Sequence, residues 1–128
     1  MTTLINSNKV AVAENEVIPL PDNLSKTLNE LKINLAQALG DNLLLLTLYG
    51  SYARDKASAD SDVDLLVVLK KSNSEDEALV RKIVYDTMWR MDFAYYLSLY
   101  LIDETHYRLL EWQGVSIFKD IRRDGQVL

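Results

Sequence analysis

Two apolar runs restrict what this chain can become more than any other feature. LLLLTLY (residues 43–49) lies between the breakers Gly40-Asp41-Asn42 and Gly50, and DVDLLVVLK (62–70) lies between the polar stretches ASADS and KKSNS. Both have the length of a strand. Their hydrophobicity is continuous rather than alternating, which fits strands covered on both faces. The leucines of the first run lack β-branching, so its length and flanking breakers carry the assignment.

The covering layers are visible on either side. Leu24, Leu28, Leu31, Leu35 and Leu39 recur at three- and four-residue steps, after a capping Asp22 or Asn23 and before Gly40, and predict an amphipathic helix. A second helix is expected from Ser74, with Glu75, Asp76 and Glu77 favouring the positive end of its dipole. Leu79, Val80, Ile83, Val84, Tyr85, Met88 and Met91 form its broad inner face. Tyr95 to Ile102 reads as a third strand, and Asp103 caps a helix that contains Leu109, Leu110 and Trp112 and stops at Gly114. VSIFKDIRR (115–123) closes the order as a short helix. The chain is therefore expected to be α+β, with a small mixed sheet flanked by helices. Residues 1–21 are aperiodic and end in Pro19-Leu20-Pro21, so they read as an N-terminal extension lying over a domain of residues 22–128.

Composition narrows the chemistry. At 128 residues one ordinary domain is expected, and 48% hydrophobic with 26% charged side chains is a globular balance. The lack of cysteine removes disulfides, thiolate metal sites and a cysteine nucleophile, and the lone His106 is too little for a histidine cage. A net charge of −5, from 14 basic and 19 acidic side chains, gives no general field for nucleic acid. The opening MTTLINSNKVAVAENEV has no basic n-region or apolar h-region, and no run approaches a membrane span, so a cytoplasmic location is expected.

The segment between the two buried runs carries the chemistry. It places Gly50-Ser51 directly after the first strand, then ten residues, then Asp62-Val63-Asp64 at the start of the second. Side chains alternate along a strand, so Asp62 and Asp64 share one face at a sheet edge. Paired carboxylates suit magnesium, which takes oxygen ligands and keeps waters beside one or two carboxylates and substrate phosphates. Two such ions about 4 Å apart can bind a triphosphate and neutralise a leaving pyrophosphate. Gly50 lets a backbone approach a phosphate closely, and a helical turn begun there would aim its free amides at the same anion. Ser51 can donate its hydroxyl, and Arg54 one turn on can add a charge-assisted contact. Glycine-serine alone is ordinary loop punctuation, and Asp-x-Asp alone is an ordinary strand edge; their conjunction at the ends of two buried strands favours a phosphate and metal pocket.

Residues 48–69 resemble the signature of the DNA polymerase β-like nucleotidyltransferase superfamily, specifically its minimal nucleotidyltransferases: Gly-Ser, ten residues, Asp-x-Asp, met here at Gly50, Ser51, Asp62 and Asp64 without insertion or deletion. Arg54 matches an arginine often found there, and residues 95–128 are similar, more weakly, to the closing strand, short helix and tail of bacterial members. The resemblance implies a polymerase β-like fold, with Asp62 and Asp64 binding magnesium (two ions) and Gly50, Ser51 and Arg54 holding ATP. It further implies an antitoxin that transfers AMP to a tyrosine hydroxyl of a cognate HEPN-domain ribonuclease toxin. The acidic balance suits a basic protein partner better than RNA. Other functions compatible with the same motif are nucleotidyl transfer to an aminoglycoside-like small molecule or to an RNA end, and neutralisation of the toxin by binding alone. Members of the superfamily carry a third carboxylate on a later strand, and this sequence departs from them there: the aligned position is Ser98. Asp92 before that strand reads equally as a substitute or a helix cap, and Asp103 after it reads as a helix cap.

The remaining polar and aromatic residues read more simply. His106 is expected on an exposed first helical turn, and Arg122 and Arg123 in a solvated ion-pair cluster with Asp120 and Asp124. Trp89 and Trp112 fit a core or an interface, and Tyr95, Tyr96 and Tyr100 fit sheet packing or a partner-binding face.

Overall fold

The computed structural model describes residues 19–58 and 60–128. The first eighteen residues of the expected extension thus lie outside the described residues; Leu20, within them, packs on the core. The elements run α1 (Asp22–Leu39), a short 3-10 turn (Gly40–Asn42), β1 (Leu43–Tyr49), β2 (Val63–Leu69), α2 (Ser74–Arg90), β3 (Leu97–Asp103), α3 (Glu104–Trp112), α4 (Ser116–Asp124) and β4 (Gln126–Val127). The sheet is mixed and ordered β3-β2-β1-β4: β1 lies antiparallel to β2 and β4, and β3 parallel to β2 across the α2 crossover. This is an α+β architecture, as the patterning predicts.

Both faces of β1 and β2 are indeed covered. On one side the five leucines of α1 and Val80, Val84 and Met88 of α2 pack against Val63, Leu65, Val67 and Leu69. On the other, Tyr107 of α3 with Phe118 and Ile121 of α4 packs against Leu66 and Val68. A bulge between Leu43 and Leu45 breaks the alternation of β1, so Leu44 and Leu45 both join this second cluster. Two separate apolar layers explain why the strand sequences are continuous rather than alternating.

Several local expectations are corrected. Asp22 and Asn23 do not cap α1 by side chain: the cap position is Pro21, and the Asn23 amide oxygen accepts instead from the Leu24 amide and the Tyr95 hydroxyl, each at 3.0 Å. Tyr85 is not on the inner face of α2 but exposed, because the buried stripe at Val80, Val84 and Met88 is narrow and Tyr85 lies beyond it. The third strand starts at Leu97, two residues later than its aromatic content suggests, and Tyr95 packs edge-on against Tyr52 across 6.2 Å. Asp103 does cap α3, accepting from the His106 amide at 2.8 Å.

Candidate active site

Register places the key residues in one row. Tyr49 of β1 pairs with Asp64 of β2, and Asp64 pairs with Ser98 of β3, so the three sit side by side at one end of the sheet. By strand alternation Asp64 shares the face of Leu66 and Val68, the side on which α3 and α4 pack. Those helices cover the sheet further along, and Asp64 is only half-buried. The end of β1 and the start of β2 meet here because the two strands are antiparallel.

Gly50 leaves β1 with φ +76°, a left-handed conformation that side chains disfavour. A Cβ built on it would stand 2.2 Å from Asp64 Oδ2, so the Asp64 carboxylate occupies the space that glycine leaves open. From there the backbone makes a single helical turn: the Gly50 carbonyl accepts from the Ala53 amide at 3.1 Å and the Arg54 amide at 3.2 Å. Asp55, at φ +58°, stops it, and the Lys56 amide closes on the Ser51 carbonyl at 2.8 Å, the pattern of a helix C-terminus. The amides of Ser51 and Tyr52 stand at the open start of this turn and donate to no backbone carbonyl among the described residues. Tyr52 and Ala53 are buried and anchor the turn in the core, while Arg54 is exposed.

The two aspartates differ in surroundings. β2 begins at Val63, so Asp62 stands one residue before the strand and is exposed. Asp64 is inside the strand, where burial pushes its carboxyl above the usual carboxylate range; the neighbouring Asp62 charge raises it further, and Arg54 pulls it down. Burial also raises the Tyr49 phenol to about 12, with the Asp64 and Tyr100 charges adding to the effect. Mutual repulsion of two carboxylates beside an amide-lined turn describes a pocket that gains from a cation.

Of the expected site residues, the structure brings Gly50 and Asp64 into contact and Arg54 and Asp62 within electrostatic range of Asp64. Asp92 does not take the place of a third carboxylate. It sits in the turn after α2 at φ +52°, and among the described residues no three acidic or histidine side chains gather as a metal-binding group. Asp103 lies at the far end of β3, opposite Leu69. Two neighbours escaped the sequence reading. Tyr49 is one; a tyrosine closing a buried strand is the only signal it gave. Asp124 is the other: it ends α4 just before β4, which pairs Thr47 with Val127 and Leu48 with Gln126 near the Gly50 end of β1. The hydrogen bond from Arg123 is the main reason the Asp124 carboxyl lies below the usual range, with Arg54 adding a smaller pull, and the same Arg54 partly offsets the raised carboxyl of Asp64.

The chain is similar to proteins of one family. A family model described as a nucleotidyltransferase domain matches residues 24–115. A candidate protein adenylyltransferase of Methanocaldococcus jannaschii is 39% identical over 70 residues, covering 52% of this chain and 48% of that protein. The chain thus spans about half the length of this curated relative. Among solved structures, a candidate nucleotidyltransferase of Sulfolobus solfataricus aligns with 22% identity and a TM-score of 0.46, over 82% of this chain and 78% of that one. A toxin-antitoxin structure with AMP-PNP aligns with 18% identity and a TM-score of 0.47, over 77% and 69%. Among the described residues no helix is long and apolar enough to cross a membrane.

Proposed function

The chain belongs to the nucleotidyltransferase domain family, and from that membership we propose that it transfers AMP from ATP to a tyrosine hydroxyl of a partner protein, a toxin of the HEPN ribonuclease class for which it is the antitoxin. The observation that carries this reading is the Asp64 carboxylate seated in the space above Gly50, at the mouth of an amide-lined turn.

The residues fit a magnesium nucleotide. Asp62 and Asp64 are hard oxygen donors of the kind magnesium takes. Gly50, Ser51 and the first amides of the turn suit phosphate oxygens, and Arg54 adds positive charge near the same acids. When bound, magnesium would neutralise the triphosphate and stabilise the pyrophosphate as it leaves. The chain's own part is to hold the phosphates on the turn and keep the acceptor in line. The acceptor oxygen bonds to the α-phosphorus as the bond to pyrophosphate breaks, and the hydroxyl proton passes to water. Tyrosine suits this pocket because a phenol, with a pKa near 10, asks less of a base than an aliphatic alcohol does. The net charge of −5 favours a basic protein surface over RNA as the acceptor.

Incubating the chain with magnesium, labelled ATP and a co-encoded toxin, then mapping adduct mass after proteolysis, tests the proposal. An AMP adduct on a toxin tyrosine is expected. Asp62→Asn and Asp64→Asn should each lower the rate by about 10²–10³-fold or more, the usual loss when one electrostatic stabiliser of the transition state is removed. Label on a small hydroxyl compound or an RNA end would displace the acceptor assignment. One observation favours a second reading, inhibition by binding alone: the β3 residue beside Asp64 is Ser98, an uncharged alcohol. Tight complex formation without adduct, indifferent to both substitutions, would establish that reading in place of catalysis.

A further inference from the structure

We propose that this pocket, with ATP bound, takes up one divalent ion rather than two, and that Ser98 is the residue that sets the count. The inference rests on the reading of the site as a nucleotidyl-transfer pocket and specifies its metal capacity.

The row across the sheet limits the ligands within reach of Asp64. Within the sheet, two positions beside Asp64 could project a further ligand toward a second ion: Tyr49 on β1 and Ser98 on β3. One is a phenol and the other an alcohol, and neither carries negative charge at neutral pH. The acids of the neighbouring segments do not compensate. Asp103 is at the opposite end of β3 with its carboxylate turned to the His106 amide, Asp124 near the Gly50 turn is engaged by Arg123 at 2.8 Å, and neither these nor Asp92 joins a group of three acidic or histidine side chains among the described residues.

Charge and coordination then decide the number. One magnesium needs six oxygens, which two carboxylates, the triphosphate and a few waters supply. A second ion about 4 Å away adds two more positive charges. On the acceptor side, away from the triphosphate, only the same two carboxylates remain to face them. Each ion in such a pair then has on average one protein carboxylate against its two positive charges, and their mutual repulsion is poorly offset. Replacing the Ser98 hydroxyl by a carboxylate supplies the missing anion beside Asp64 on β3.

Manganese is the probe, because its free hydrated ion gives a strong paramagnetic resonance signal that disappears on binding. The full chain, saturated with α,β-methylene-ATP, is titrated with Mn²⁺ beside a solution of the analogue alone. The wild-type complex should remove one ion per chain and Ser98→Asp two, a doubling of stoichiometry; Ser98→Glu serves as a second variant if the first does not fold by circular dichroism. Two ions in the wild type overturn the inference while leaving the pocket reading intact. Variants that fold but stay at one ion remove Ser98 as the determinant. If the wild type and Asp64→Asn take up the same amount as the analogue alone, the pocket itself fails and the inference falls with it.

Discussion

A methyl group at position 50 has nowhere to go. With φ at +76° and Asp64 Oδ2 2.2 Å from where the Cβ would lie, Gly50→Ala must displace either the turn or the carboxylate. The backbone conformation alone costs about 1–2 kcal/mol for a non-glycine residue. We expect Gly50→Ala to fold with a lowered Tm and to lose Mn²⁺ uptake in the presence of the ATP analogue by about 10-fold or more; unchanged uptake would separate glycine from the pocket. The neighbouring aspartates divide the labour by position. Asp62 is exposed and free to meet an incoming ion, whereas Asp64 is half-buried, and its raised carboxyl records the cost of holding charge against a largely apolar sheet.

At the scale of elements, caps and layers do the holding. α3 is only nine residues long, too short to persist on propensity, and Asp103 ties its first turn by accepting from the His106 amide at 2.8 Å. That hydrogen bond is the main reason its carboxyl lies below the usual range. Its folded pKa is therefore lower than its unfolded one, so its contribution is present above the unfolded value near 4 and is lost as pH falls through the folded value. Asp103→Ala should cost about 1 kcal/mol at pH 7, and the gap from wild type should narrow at pH 3, as read by urea unfolding at both. A gap independent of pH would contradict the assignment. α2 shows the opposite economy. It buries a narrow stripe and leaves Trp89, 58% exposed, packed edge-on with Tyr85 and Phe93 at 6.2 and 5.3 Å.

For the whole molecule, the position of the tail matters as much as the motif. β4 is two residues long, yet it pairs with β1 just below the Gly50 turn, and Leu128 adds a bond from its amide to the Leu46 carbonyl at 2.9 Å. Gly125 permits this approach. A Cβ there would meet the Ile121 carbonyl oxygen at 2.4 Å and the Thr47 methyl at 3.0 Å. Gly125→Ala should destabilise by about 1–3 kcal/mol, lowering Tm by roughly 5–10 °C, because backbone must shift to make room. An unaltered Tm would show that the tail docks loosely. The ion pairs around it follow exposure rather than the expected single cluster. Arg123 meets Asp120 at 3.1 Å and Asp124 at 2.8 Å, while Arg122 reaches Glu111 of α3. Being exposed, these pairs add little to stability.

The first three strands, the helices and the Gly50, Ser51, Asp62, Asp64 spacing were legible in the sequence, because each depends on short-range periodicity and turn chemistry. The two-residue β4 is too short to show a period and is not expected from it. The family followed from the same few residues, and the matching domain model agrees with it. Only the tertiary structure decided which face each helix covers, that Tyr85 and both tryptophans lie outside the core, and that the Leu43/Leu45 bulge turns two leucines toward one layer. Only it set Tyr49 and Ser98 beside Asp64, and brought the end of α4, with Asp124, to the strand that pairs near the Gly50 end of β1. Strand partners come from registers between segments tens of residues apart, and nothing local in a chain records which residue of a distant strand will stand opposite.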